Sequence, residues 1–123
     1  MRDLMFSAKS LRDGVWVTSD SIIQHANGKV YLYDEVKDID VEVDPETVGQ
    51  FIGVTDKNGV NVFEGDIVNI YFPARAIRGA VVTYIGAGFY GQTPDDFWEL
   101  GGYVSLEVIG NKYDNDVDAE ELP

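Results

Sequence analysis

The sequence predicts an all-β protein with little helix, on two observations. Val, Ile, Tyr and Phe dominate the apolar positions and alternate with polar residues, the period-2 pattern of half-buried strands, while helical periodicity is nearly missing. Apolar runs also flank Asn27-Gly28 and Asn58-Gly59, dipeptides that close β-hairpins.

The elements follow in chain order. Ile22-Ile23-Gln24-His25 and Val30-Tyr31-Leu32-Tyr33 are the arms of a first hairpin, with Asn27 and Gly28 in the two positive-φ positions of a type I′ turn. Residues 38–44 alternate strictly, which puts Asp38, Asp40, Glu42 and Asp44 on one strand face and Ile39, Val41 and Val43 on the other. Four stacked carboxylates resemble a cation site, but without a binding loop they repel each other and read as a solvated face that guards a strand edge.

Asp44-Pro45-Glu46-Thr47 starts a helical turn, with Asp44 as cap and Pro45 at the first position, where its missing N–H costs nothing. Phe51-Ile52-Gly53-Val54-Thr55 and Val60-Asn61-Val62-Phe63 then flank Asp56-Lys57-Asn58-Gly59, the clearest hairpin of the chain. After the polar step Glu64-Gly65-Asp66, a strand runs from Ile67 to Phe72, with Val68 and Ile70 sharing a face, and Pro73 stops it.

Ala74 to Arg78 reads as a short loop carrying Arg75 and Arg78, and Gly79 leads into a strand from Ala80 to Ile85. Gly86 to Gly102, rich in glycine and aromatics, reads as an irregular loop, and Tyr103 to Ile109 as the closing strand. Residues 1–114 are expected to form one domain, and 115–123 an acidic, mobile tail.

Composition narrows the function classes. The 123 residues are 45% hydrophobic and 12% aromatic, enough for a packed core. Cysteine is absent, so disulfides, thiolate zinc sites and cysteine nucleophiles are excluded and a reducing cytoplasm suits the chain. No apolar run approaches the ~20 residues of a membrane helix, and no standard export signal stands at the start. With 22 acidic against 9 basic residues, the formal charge of −13 repels phosphate backbones and anionic membranes, so direct nucleic-acid binding is disfavoured. The acidity serves solubility, or it imitates the phosphates of DNA towards a basic protein.

Motifs that suggest chemistry fail on their surroundings. Gly86-Ala87-Gly88-Phe89-Tyr90-Gly91 has dinucleotide-fingerprint spacing, but no helix can begin at these glycines to face a pyrophosphate. Asp114-Asn115-Asp116-Val117-Asp118 resembles the start of a calcium loop but lacks its turn glycine and its closing glutamate. The single histidine, His25, has no spacing relation to Ser10, Ser19 or Ser21 that makes a nucleophilic triad. No cofactor, metal or catalytic residue is therefore assigned. The candidate partner contacts are the aromatics Phe89, Tyr90, Phe97 and Trp98, which supply large area at low entropic cost but read equally as core or subunit packing, together with Arg75, Arg78, Glu64 and Asp66, the last two read also as caps of backbone amides.

The stretches Val43-Asp44-Pro45-Glu46-Thr47-Val48-Gly49-Gln50-Phe51 and Asp56-Lys57-Asn58-Gly59, continuing to Phe63-Glu64-Gly65-Asp66-Ile67-Val68, resemble the YopX-like family of phage and prophage proteins of Gram-positive bacteria. Glu107-Val108-Ile109-Gly110-Asn111-Lys112-Tyr113-Asp114-Asn115 is similar to that family's closing motif, and Met5-Phe6-Ser7-Ala8-Lys9 with Trp16 is a weaker match. Ser7, Ile52 and Lys112 depart from the family pattern. The resemblance implies an SH3-type, barrel-like arrangement of coiled antiparallel sheets, a homo-oligomer, and action inside an infected or lysogenic bacterium. It implies no activity and carries over no catalytic residue.

The function expected is a non-enzymatic, oligomeric phage accessory module that binds a host or phage protein through its aromatics and acidic surface. The alternatives are an acidic antagonist that mimics DNA, and an enzyme with a site formed between subunits from Glu64, Asp66, Arg75 and Arg78.

Overall fold

The structure, a computed structural model, describes residues 4–100 and 104–114. Strand accounts for 58% and helix for 3% of the described residues, so the all-β expectation holds. The chain forms two compact units, Met1–Phe51 and Ile52–Pro123, each with its own core.

In the first unit, β1 (Phe6–Lys9) pairs antiparallel with β2 (Trp16–Ser19) on one side and with the opening of β6 (Gly49–Thr55) on the other. A meander of β3 (Ile22–Gln24), β4 (Val30–Asp34) and β5 (Ile39–Val43) forms a three-stranded sheet. Ala8, Val30, Leu32 and Val43 are buried together, with Phe6, Val17, Val41 and Val48 packed around them. The expected helical turn is a single 3-10 turn, Pro45–Thr47, capped by the Asp44 carboxylate, which accepts from the Glu46 amide at 3.0 Å. Buried Thr47 accepts from the Lys9 amide at 2.9 Å and donates to the Asp44 carbonyl at 2.7 Å, tying the turn to β1.

Two details of this unit differ from the sequence reading. The turn at Asn27-Gly28 is not type I′: Gly28 alone has positive φ, and the Gly28 amide reaches the His25 carbonyl at 3.0 Å while the His25 amide reaches the Lys29 carbonyl at 2.8 Å. That is a three-residue loop, a type I turn closed by a glycine bulge, which leaves Asn27 in an ordinary conformation. The four acids of 38–44 do not share a strand face either. Asp38 sits at φ 55 in the preceding turn, where its carboxylate accepts from the Tyr33 hydroxyl, and Asp44 leaves the strand to cap, so Asp40 and Glu42 alone remain on β5.

In the second unit, the remainder of β6 is hydrogen-bonded to β7 (Asn61–Phe63) through the Asn58-Gly59 hairpin, which again is a three-residue loop with positive φ only at Gly59. Then come β8 (Asp66–Tyr71), β9 (Ala76–Ile85), β10 (Gly88–Gln92), β11 (Phe97–Glu99) and β12 (Ser105–Asn111), an antiparallel sheet of order β11-β10-β9-β8-β12. It curls as a half-barrel. Ile52, Val62, Val68, Ile70, Ala80, Val82 and Leu106 form its core.

Two expected loops of this unit are strands. Ala76, Ile77 and Arg78 open β9, which runs for 10 residues because Gly79, at φ 73, forms a bulge opposite Asn69. The Asn69 side-chain oxygen accepts the Gly79 amide at 3.1 Å, so the break in the ladder leaves no orphan donor there. The glycine- and aromatic-rich stretch after Ile85 folds into β10 and β11 through a two-residue turn at Gly86-Ala87, with Ile85 opposite Gly88. Residues 101–103 and the expected tail, 115–123, lie outside the described residues.

Gly65, at φ 95, makes the step from β7 to β8, and a Cβ there would stand 3.3 Å from the Tyr113 ring. Gly65→Ala is expected to cost about 1–3 kcal/mol of unfolding free energy, read by denaturant titration.

Candidate functional site

The sheet alternation sorts the aromatics. Phe89, Gly91, Trp98 and Leu100 share the face of β10 and β11 that meets Val82 and Ala80, and Phe89, Trp98 and Leu100 pack against the core. Tyr90 and Phe97 take the opposite face, their rings edge to face at 5.5 Å, and Phe97 is 53% exposed. The expected aromatic cluster is thus divided, with two rings serving the core and two facing outward.

The polar candidates are not brought together. Asp66 is buried and accepts from the Phe63 amide at 2.8 Å and from the Asn111 side-chain amide at 3.0 Å. Burial pushes its carboxyl above the ordinary range, against those two hydrogen bonds. Glu64 stands in the turn beside it. Arg75 lies beyond the other end of β8, with its guanidinium 5.7 Å from the Phe72 ring, and Phe72 is roughly 20 Å along the chain direction from Asp66. Arg78 is exposed on β9. Among the described residues no group of three or more His, Cys, Asp or Glu is placed to hold a metal ion. Exposed His25 stacks edge to face on Tyr31 at 5.1 Å.

Two polar assemblies escaped the sequence reading. Asp56 is 5% exposed and uses both carboxylate oxygens: one accepts the Asn58 and Val60 amides at 2.8 and 2.9 Å, the other the Val108 amide at 2.9 Å. The Lys57 amide donates to the Leu106 carbonyl at 2.8 Å, so the hairpin tip covers the outer edge of β12. Burial raises the Asp56 carboxyl, but the three amides and Lys57 outweigh it and hold the group below the ordinary range. The signal in the sequence was an Asp two residues ahead of Asn58-Gly59, the position whose side chain closes such turns.

The second assembly lies on the outward face of β8 and β12. Tyr71 donates its hydroxyl to Glu107 at 2.7 Å, Asn69 donates its amide to the same oxygen at 3.4 Å, and Lys57 stands 3.8 Å from the other oxygen and 4.8 Å from the Tyr71 ring centre. The Tyr71 and Asn69 hydrogen bonds lower the Glu107 carboxyl, aided by Lys57. Asn69 also floors a neighbouring groove of about 480 Å³, bounded by Arg78, Thr93, Pro94, Asp95 and Ile109. This groove presents the Arg78 guanidinium, the Asp95 carboxylate and the apolar side chains of Pro94 and Ile109.

Fold and site together define an all-β protein whose candidate polar residues are spread over both ends of β8 and over β9 rather than gathered at one place. The chain belongs to the YopX protein family, whose model matches residues 7–117. No curated protein and no solved structure matches it significantly. Among the described residues no helix is long and apolar enough to cross a membrane.

Proposed function

We propose that the chain is a non-enzymatic, oligomeric protein-binding module of phage or prophage origin, acting in the bacterial cytoplasm. The observation that carries this is the Tyr90–Phe97 pair: an aromatic contact held outward on two strands at the margin of the sheet, with Phe97 half exposed. Rigid aromatics of this kind anchor interfaces because they desolvate large area while losing little conformational freedom. Asp95, Asp96 and Glu99 flank the pair, and the chain carries −13 overall, so the complementary surface is apolar at its centre and basic at its rim.

The test is capture of a host or phage protein by the tagged chain at low and high salt. Capture that persists at high salt and weakens roughly tenfold with Phe97→Ala supports the module. Capture that collapses with salt and ignores Phe97→Ala favours the DNA-mimic alternative, in which charge alone recruits the partner. Trp98→Ala is the wrong probe, since Trp98 packs on the core.

A further inference from the structure

We infer that the free edge of β5 in the first unit is a strand-addition site for an extended protein segment that alternates basic and apolar residues. The inference concerns a different surface from the Tyr90–Phe97 pair and does not depend on it.

The edge is half occupied by the chain itself. The Leu11 amide donates to the Glu42 carbonyl at 3.0 Å and the Asp44 amide to the Lys9 carbonyl at 2.9 Å, around an antiparallel bridge of Ser10 to Val43. The backbone groups of Glu42 therefore face away from β4. By strand alternation those of Asp40, two residues earlier, do so as well. The Tyr33 amide, opposite Asp40 on β4, bonds instead to the Ser21 carbonyl, so Tyr33 and Asp40 are a non-hydrogen-bonded pair of the β4–β5 ladder.

At Leu11 the chain turns away, closed by the Gly14 amide on the Ser10 carbonyl at 2.9 Å. Among the described residues no partner is in place for the outward amide and carbonyl of Asp40. Beside them lies a groove of about 500 Å³, bounded by Leu11, Arg12, Asp13, Lys37, Ile39 and Glu42 among others. A ladder has been started and its next rungs are vacant, which is the geometry that strand addition uses.

The side chains select the occupant. Asp40 and Glu42 lie on one face of β5, so a strand laid alongside meets carboxylates at alternate positions. The other face offers Ile39, 49% exposed. Lysine or arginine opposite the acids and branched apolar residues between them satisfy both faces. A second copy of β5 would set carboxylate against carboxylate on chains that each carry −13, so the same pattern rejects self-pairing.

The experiment uses the full chain and a short blocked peptide alternating lysine and valine, with binding read by fluorescence anisotropy. Saturable binding is expected, weakened several-fold by Asp40→Asn and roughly tenfold or more by Asp40→Pro, which removes the outward amide without touching the β4 ladder. Phe97→Ala should leave it unchanged. A peptide N-methylated on the edge-facing amides should lose binding to the unaltered protein, which decides the matter even where Asp40→Pro unfolds. Absence of binding, equal binding of the N-methylated peptide, or equal binding of a glutamate–valine peptide would each overturn the inference.

Discussion

Replacing Asp56 with alanine is expected to lower the unfolding free energy by about 3 kcal/mol, because it strands three backbone amides that share one buried carboxylate. Two of those amides belong to the Asn58-Gly59 hairpin and the third to β12, 52 residues away. The effect therefore exceeds that of an ordinary turn residue. Asp56→Asn keeps one acceptor oxygen and the shape, and should fall between the two in a urea titration.

The pH dependence has a definite sign. The Asp56 carboxyl titrates below its ordinary value in the folded protein, so its contribution is complete above the ordinary Asp range and is lost as pH falls through the lower folded value. Asp66 works the other way: its raised carboxyl favours the fold at low pH, and that contribution is lost as pH rises through the folded value. Asp56→Asn should flatten the acid limb of the stability curve, and Asp66→Asn should not.

Gly91→Ala should cost about 2 kcal/mol in the otherwise unaltered chain and markedly less in an Ile70→Val background. A Cβ at Gly91 would lie 2.6 Å from the Ile70 terminal methyl and 3.3 Å from the Ala80 methyl, and Ile70 is fully buried. Removing that methyl makes room for the new one, so the double-mutant cycle isolates a coupling of about 1 kcal/mol. Equal costs in both backgrounds would show that β10 does not press its backbone against β8 at this point.

Gly91 also shows why the sequence misread the region after Ile85. Glycines at 86, 88 and 91 among aromatics look like an irregular loop when only neighbours along the chain are considered. Gly91 instead answers to Ile70, a contact between two strands of one sheet that no local pattern contains. The bulge at Gly79 is similar: its amide is satisfied by Asn69, 10 residues earlier, so a strand continues where a break was expected. Asn58-Gly59 and the Asp44-Pro45 cap were legible because turn and cap chemistry are local.

The site was legible in part. Phe97 and Tyr90 could be named from composition, but their separation from Phe89 and Trp98 required the β9–β10–β11 register. The Lys57–Tyr71–Glu107–Asn69 assembly could not be foreseen, since it exists only where β8 pairs with β12 and the hairpin tip folds over both.

The most direct test of the outward aromatic pair compares Phe97→Ala with Trp98→Ala in unfolding free energy and in affinity for the captured partner. Phe97→Ala should change stability by less than about 1 kcal/mol while weakening the partner roughly tenfold, and Trp98→Ala should cost about 3 kcal/mol of stability. The reverse pattern, with Phe97→Ala unfolding the protein or leaving the affinity intact, would contradict the assignment of this face to partner binding.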